Sequence, residues 1–109
     1  MTDLPVKAAE VEAVEMLPGA WRRTLNYGER LMVVQATLEK GAVVPVHSHP
    51  HEQITYVIEG RLSMEVRGQT HVLGPGDTLL FPGDVEHGAT AIERTVVIDT
   101  FSPPREDYK

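Results

Sequence analysis

Turn signals punctuate this chain at short, near-even intervals, and that spacing limits what it can fold into. They fall at Asn26-Tyr27-Gly28, Lys40-Gly41, Glu59-Gly60, Gly68-Gln69, Gly74-Pro75-Gly76-Asp77 and Pro82-Gly83-Asp84. Between them lie short runs rich in β-branched and apolar residues, over 31–38, 43–49, 53–58, 62–67, 78–81 and 95–101. Such runs read as strands, and many short strands between turn signals point to an all-β sandwich or barrel. Only residues 5–17 leave room for a short helix, bounded by Pro5, Pro18 and Gly19. At 109 residues the chain can bury one core but not two. The expected layout is a single domain, with 1–20 as an N-terminal arm or strand, 21–101 as the barrel and 102–109 as a tail that breaks at Pro103-Pro104.

Strand faces follow from the two-residue period. Leu62, Met64 and Val66 share one face, and Arg61, Ser63, Glu65 and Arg67 the other, as in a half-exposed strand. The run from Gln53 is different. If Gln53, Thr55 and Val57 face inward, then Ile54, Tyr56 and Ile58 face outward and need cover. A homodimer is expected on this ground.

Composition removes several classes of function. Formal net charge is −6, from 16 acidic and 10 basic residues. That balance argues against nucleic acid and against anionic membranes. A small anionic ligand stays open, because one local Arg can bind a carboxylate. No apolar run is long enough for a membrane span. The N-terminal stretch has no basic region followed by an apolar segment, so the expected location is cytoplasmic. There is no Cys. Disulfides, thiolate-bound zinc and thiol catalysis are therefore excluded, and any metal must be held by His, carboxylate or amide groups.

Three of the five histidines lie in His47-Ser48-His49-Pro50-His51. On a strand, His47 and His49 project from one face about 6–7 Å apart, a plausible bite for two imidazoles on one metal. His51 has the same parity, but Pro50 tends to bend or end the strand before it. Gln53 begins the next run and can fold back over His49, while His87 follows the turn at Pro82-Gly83-Asp84. A pair of His at i and i+2 is by itself compatible with ordinary surface or core positions. The frame around it is more specific. Gly41 is followed by five residues, His47-x-His49, three residues, Gln53, six residues and Gly60; Gly76 is followed by five residues, Pro82 and, five positions on, His87.

These spacings resemble the two motifs of the cupin superfamily, across Gly41 to Ala91. Gln53 stands where the first motif has Glu; Asp84 and Ala91 stand where the second has Gly and Asn. The resemblance implies an all-β double-stranded β-helix, a jelly-roll barrel, with one divalent transition metal in its mouth held by His47, His49, Gln53 and His87. Glu52 is a competing ligand if the loop length differs. Three imidazoles and one amide are neutral, so the full 2+ charge stays on the metal and favours Lewis-acid work on an anionic oxygen. In an octahedral sphere two adjacent positions would remain open. Ni, Mn, Fe, Zn and Co all accept imidazole, so the metal's identity is not encoded.

The last run carries Asp99 among apolar residues, and an unpaired buried acid is costly. Pattern alone leaves two readings: a strand-end acid in solvent or paired with an Arg, or a proton-transfer group beside the metal. A narrower resemblance, to the pectin-degradation cupins, bears on the choice. It is carried by Pro45 to Ile54, by Tyr56-Val57-Ile58-Glu59-Gly60, and by Asp99 to Tyr108. Those proteins convert 4,5-unsaturated monouronates to the linear 4-deoxy-5-keto sugar acid. The resemblance implies a small sugar-acid substrate, with Asp99 shuttling the proton, Phe101 shaping the pocket and Arg105 holding the carboxylate. The fold supports other chemistries as well. A metal-dependent dioxygenase, a sugar isomerase and a non-catalytic ligand-binding cupin are the alternatives. His71 is expected as an exposed strand residue, Trp21 as a packing residue and Arg22-Arg23 as solvated.

Overall fold

The computed structural model describes residues 5–109. Ten strands run in order: β1 (Val14–Leu17), β2 (Ala20–Tyr27), β3 (Met32–Leu38), β4 (Val43–His47), β5 (Glu52–Glu59), β6 (Leu62–Val66), β7 (Gln69–Leu73), β8 (Thr78–Phe81), β9 (His87–Ala91) and β10 (Thr95–Ser102). All pairings are antiparallel. One sheet has the order β1-β2-β3-β10-β5-β8, and the other β4-β9-β6-β7. Ala36, Leu38, Val57 and Val97 of the first sheet pack with Leu62, Met64, Leu73 and Ala91 of the second in one core cluster. This is an all-β barrel, as the turn spacing suggests, and it has the jelly-roll form that the cupin resemblance implies.

Alternation sets the faces. Met32, Val34, Ala36 and Leu38 of β3 are buried, with half-buried residues between them. On β5, Gln53, Thr55 and Val57 are buried, whereas Ile54, Tyr56 and Ile58 are each 44% exposed. The β5–β6 turn depends on Gly60, at φ +94°, where a side chain would collide with the Arg94 carbonyl and Thr95.

Residues 5–17 do not form an α-helix. Ala8–Glu10 make a single 3-10 turn, and β1 pairs with β2 through Leu17 opposite Ala20. Pro18-Gly19 close that hairpin, with Gly19 at φ +79°; Pro followed by a positive-φ Gly is the type II turn pattern. Residues 1–4 of the expected N-terminal arm lie outside the described residues. No helix among the described residues is long and apolar enough to cross a membrane. Past the Pro-Pro step, Glu106–Tyr108 form a 3-10 turn that folds back on the barrel. Its anchor is the Thr24 hydroxyl, which donates to the Tyr108 carbonyl at 2.6 Å.

Candidate functional site

His47 closes β4 and lies opposite His87, which opens β9. The two strands come together because Gly88 follows His87. A Cβ there would stand 3.0 Å from the Val44 carbonyl and 3.1 Å from the Val46 nitrogen. His49 sits in the loop beyond β4, where its carbonyl accepts the Asp84 N–H at 2.8 Å. Ring centroids are 4.5 Å apart for His47 and His87, 4.8 Å for His49 and His87, and 5.7 Å for His47 and His49. One nitrogen from each ring can be chosen so that all three lie within 4.8 Å of one another, a group able to hold a metal ion. Phe81 stacks on His87 at 4.5 Å with the planes 4° apart and fixes that ring.

The donor set fits a metal on the pattern of its hydrogen bonds. Each Nδ1 faces a backbone carbonyl: His47 that of Pro45 at 2.8 Å, His49 that of His51 at 3.0 Å, His87 that of Val85 at 2.9 Å. A carbonyl only accepts, so each Nδ1 carries the proton and each Nε2 keeps its lone pair. Burial holds the pKa of His49 below the ordinary histidine value; the Gln53 and His51 oxygens oppose it, and Arg105 and His47 reinforce it. Burial does the same for His87, against its bond to Val85 and with help from His47, His49 and Arg105. Both imidazoles are therefore neutral near pH 7.

Gln53 sits 3.0 Å from this cluster, with its Oε1 toward His49 Nε2. Its Nε2 donates to Thr55 Oγ1 at 3.0 Å and to Asp99 Oδ1 at 3.2 Å, and Thr55 in turn donates to Asp99 at 2.6 Å. That chain of donors orients the amide with its oxygen toward the histidines. With His49 protonated on Nδ1, two acceptors then face each other without a proton between them. Two ligands of one cation stand in this relation. Glu52 is exposed and does not line the cavity, so Gln53 is the residue of the motif that the strand turns inward.

β10 turns Thr95, Val97, Asp99 and Phe101 inward, and Asp99 lies between Val34 of β3 and Thr55 of β5. Desolvation pushes the Asp99 carboxyl up to about 6, against the bonds from Thr55 and Gln53 and the charge of Arg105. Phe101, 2% exposed, meets His49 edge-on at 5.8 Å. Arg105 is not a free tail residue. Its side chain is 14% exposed, and it donates through Nε and Nη2 to Asp107 at 3.3 and 3.0 Å. Val97, Asp99, Phe101 and Arg105 line a cavity of about 530 Å³ that reaches down to Leu38, Leu62 and Met64. His51 lies outside the three-histidine group, though its ring is 5.3 Å from that of His49. His71 is exposed on β7.

Two sequence expectations fail here. Trp21 lies on the outer side of β2 and is 38% exposed rather than packed. Arg22 is half-buried and lines the cavity rather than being solvated. The reason is parity: β2 pairs Arg22 with Ala36, an inward residue of β3. Tyr108 is also on the cavity wall, a place that no strand parity announces past the Pro-Pro step.

Residues 34–101 match the family model described as "Cupin domain". The chain belongs to the cupin family. Pectin degradation protein KdgF of Dickeya dadantii (strain 3937) is 34% identical to this cupin over 96 residues, 86% of this chain and 87% of that protein. The structure of KdgF from Halomonas sp. superposes with a TM-score of 0.94 at 35% identity, over 99% of this chain and 100% of that one. An RmlC-like cupin from Shewanella frigidimarina NCIMB 400 superposes with a TM-score of 0.94 at 36% identity, over 99% and 97%.

Proposed function

We propose that this cupin opens 4,5-unsaturated monouronates to the linear 4-deoxy-5-keto sugar acids, a step in the breakdown of pectin or alginate. The name of the Dickeya relative supports a place in pectin degradation. The observation that carries the reading is the Asp99 carboxyl, bonded to Thr55 and Gln53, inside a cavity it shares with His47, His87 and Arg105. A divalent metal on His47, His49, Gln53 and His87 would supply Lewis-acid polarisation of the sugar oxygens.

The substrate is an enol ether joined to a hemiacetal. Linearisation breaks the bond between the anomeric carbon and the ring oxygen, moves the anomeric hydroxyl proton away and delivers a proton to C4. No atom is gained or lost. Asp99 is suited to that proton, because its pKa near 6 leaves both forms accessible at neutral pH. Arg105 would fix the carboxylate, and Phe101 would exclude water beside His49. The cavity volume lies in the usual range for small-ligand sites. A neutral set of ligands disfavours an iron oxygenase of the two-His, one-carboxylate type, since no Asp or Glu joins the three histidines among the described residues.

The test is loss of absorbance from the conjugated double bond when metal-loaded protein meets unsaturated galacturonate. No acceleration over buffer sinks the proposal. Asp99→Ala is expected to lower the rate by ~10²-fold or more.

We also infer a homodimer through the outer side of β5 and β8. Ile54, Tyr56 and Ile58 stand outward at 44% exposure, and Leu80, the partner of Ile54 across the pair, at 50%. This uncharged row suits a second copy of itself. Sedimentation should give a dimer at micromolar concentration and a monomer for Tyr56→Glu; a wild-type monomer would refute it.

A further inference from the structure

Two guanidinium groups face the cavity, and the one with free donors is not the one in the C-terminal segment. Arg105 lies with its Cζ 3.9 Å from the Tyr108 ring centroid, and Arg22 with its Cζ 4.4 Å from the same centroid. The side-on fork of Arg105 is already filled by Asp107. The Arg22 side chain has no hydrogen bond or ion pair among the described residues. Glu15 lines the same cavity, but it does not come within ion-pair distance of Arg22. Stacking on an aromatic ring holds the plane of a guanidinium and leaves its in-plane N–H groups available.

The position of Arg22 is firmly set. Its neighbours on the inward side of β2 are Ala20, fully buried, and Thr24, which holds the Tyr108 carbonyl. Tyr108 is further placed by its hydroxyl, 3.6 Å from Met16 Sδ on β1. Arg22 is thus a half-buried cation with five donors, seated on a ring that the end of the chain brings to it. Such a group gains from an anionic oxygen partner.

We propose that Arg22 binds the carboxylate of the sugar acid together with the remaining edge of Arg105, and that it makes the cavity select acidic over neutral sugars. This rests on the reading of the cavity as a sugar-acid site. Arg22 is then a specificity-determining residue, and Asp107 keeps Arg105 from taking the carboxylate alone.

Calorimetric titration of metal-loaded protein with galacturonate and with galactose tests the idea without turnover. Wild type should prefer galacturonate. Arg22→Gln should weaken galacturonate by about tenfold or more, the worth of one charge-assisted contact, and leave galactose unchanged. Arg22→Lys keeps the charge and the stem but loses the fork, and should weaken galacturonate by a smaller factor. Equal affinity of wild type for both sugars overturns the proposal. So does an equal loss on both sugars in Arg22→Gln. Should Arg22→Gln fail to fold, unchanged galacturonate affinity in Arg22→Lys overturns it instead. Absence of turnover on unsaturated uronate would remove the proposed reaction, while these affinities would still decide the role of Arg22.

Discussion

Gln53 stands between His49 and Asp99 and faces each with a different atom: Oε1 lies 3.0 Å from His49 Nε2, and Nε2 donates to Asp99 Oδ1 at 3.2 Å. An amide can do both at once, since one end accepts and the other donates. A carboxylate at this position could face the histidines but could give nothing to Asp99. The replacement of Glu by Gln in the first motif therefore ties the histidine cluster to the acid on β10.

Gln53→Glu tests that link. Without a metal, the new carboxylate and Asp99 would be like charges in a buried setting, and Asp99 would lose a donor. A loss of about 1–3 kcal/mol in stability is expected. Added divalent metal should recover much of it, because the carboxylate gains a cation. Turnover should nonetheless fall, since proton delivery by Asp99 is disturbed. Chemical denaturation with and without metal, beside the rate assay, reads both effects; wild-type activity in Gln53→Glu would show that the donor to Asp99 is dispensable.

Thr55→Val is the complementary change. Thr55 is 1% exposed, accepts from Gln53 and donates to Asp99 at 2.6 Å. Valine keeps the shape and removes the link, leaving Asp99 with one partner fewer. Stability is expected to drop by about 1–3 kcal/mol, with the metal retained at weaker affinity, because Thr55 orients the Gln53 amide and bonds to none of the three histidines. A variant that loses its metal would place Thr55 in a different role.

How far the site could be read in advance depended on whether its residues share a motif. His47, His49, Gln53 and His87 sit at fixed spacings around turns, and strand parity sets Ile54, Tyr56 and Ile58 outward once Gln53 faces inward. β2 is not legible in the sequence because its inward side carries Arg22, which lines the cavity, and Thr24, which bonds Tyr108, and these polar residues erase the apolar alternation. β9 is not legible because Gly88, Ala89 and Ala91 carry little strand preference, and the close approach to β4 requires the Gly. The place of Tyr108 depends on Thr24, 84 positions away, and no local pattern announces such a contact.

Asp84 replaces the usual Gly of the second motif and adopts φ +66°. A left-handed backbone suits Gly, and Asp tolerates it at a cost. Gly would relieve that strain but enlarge the entropy of the unfolded chain. The balance favours Asp84→Gly by up to about 1 kcal/mol. The backbone bond from residue 84 to the His49 carbonyl would be kept. Thermal unfolding should therefore show an unchanged or slightly raised Tm; a clear fall would mean that the Asp84 side chain contributes to the loop.

Phe81 is fully buried and lies parallel to His87 at 4.5 Å, and Phe81 is also the partner of Gln53 across β5 and β8. It therefore supports two residues of the proposed metal set without offering a ligand atom. Phe81→Leu retains most of the volume but not the flat surface against the imidazole. Loss of such orienting support typically weakens metal binding by about tenfold or more, and the shape change should cost about 1–3 kcal/mol of stability. Leu73→Ala is the control, a buried change on β7 among core residues other than the histidines. It should lower stability by a similar or larger amount and leave metal affinity as it was. Competitive titration against a chelating dye measures the affinities; equal weakening in both variants would show that the His87 ring is held by the general rigidity of the barrel rather than by Phe81.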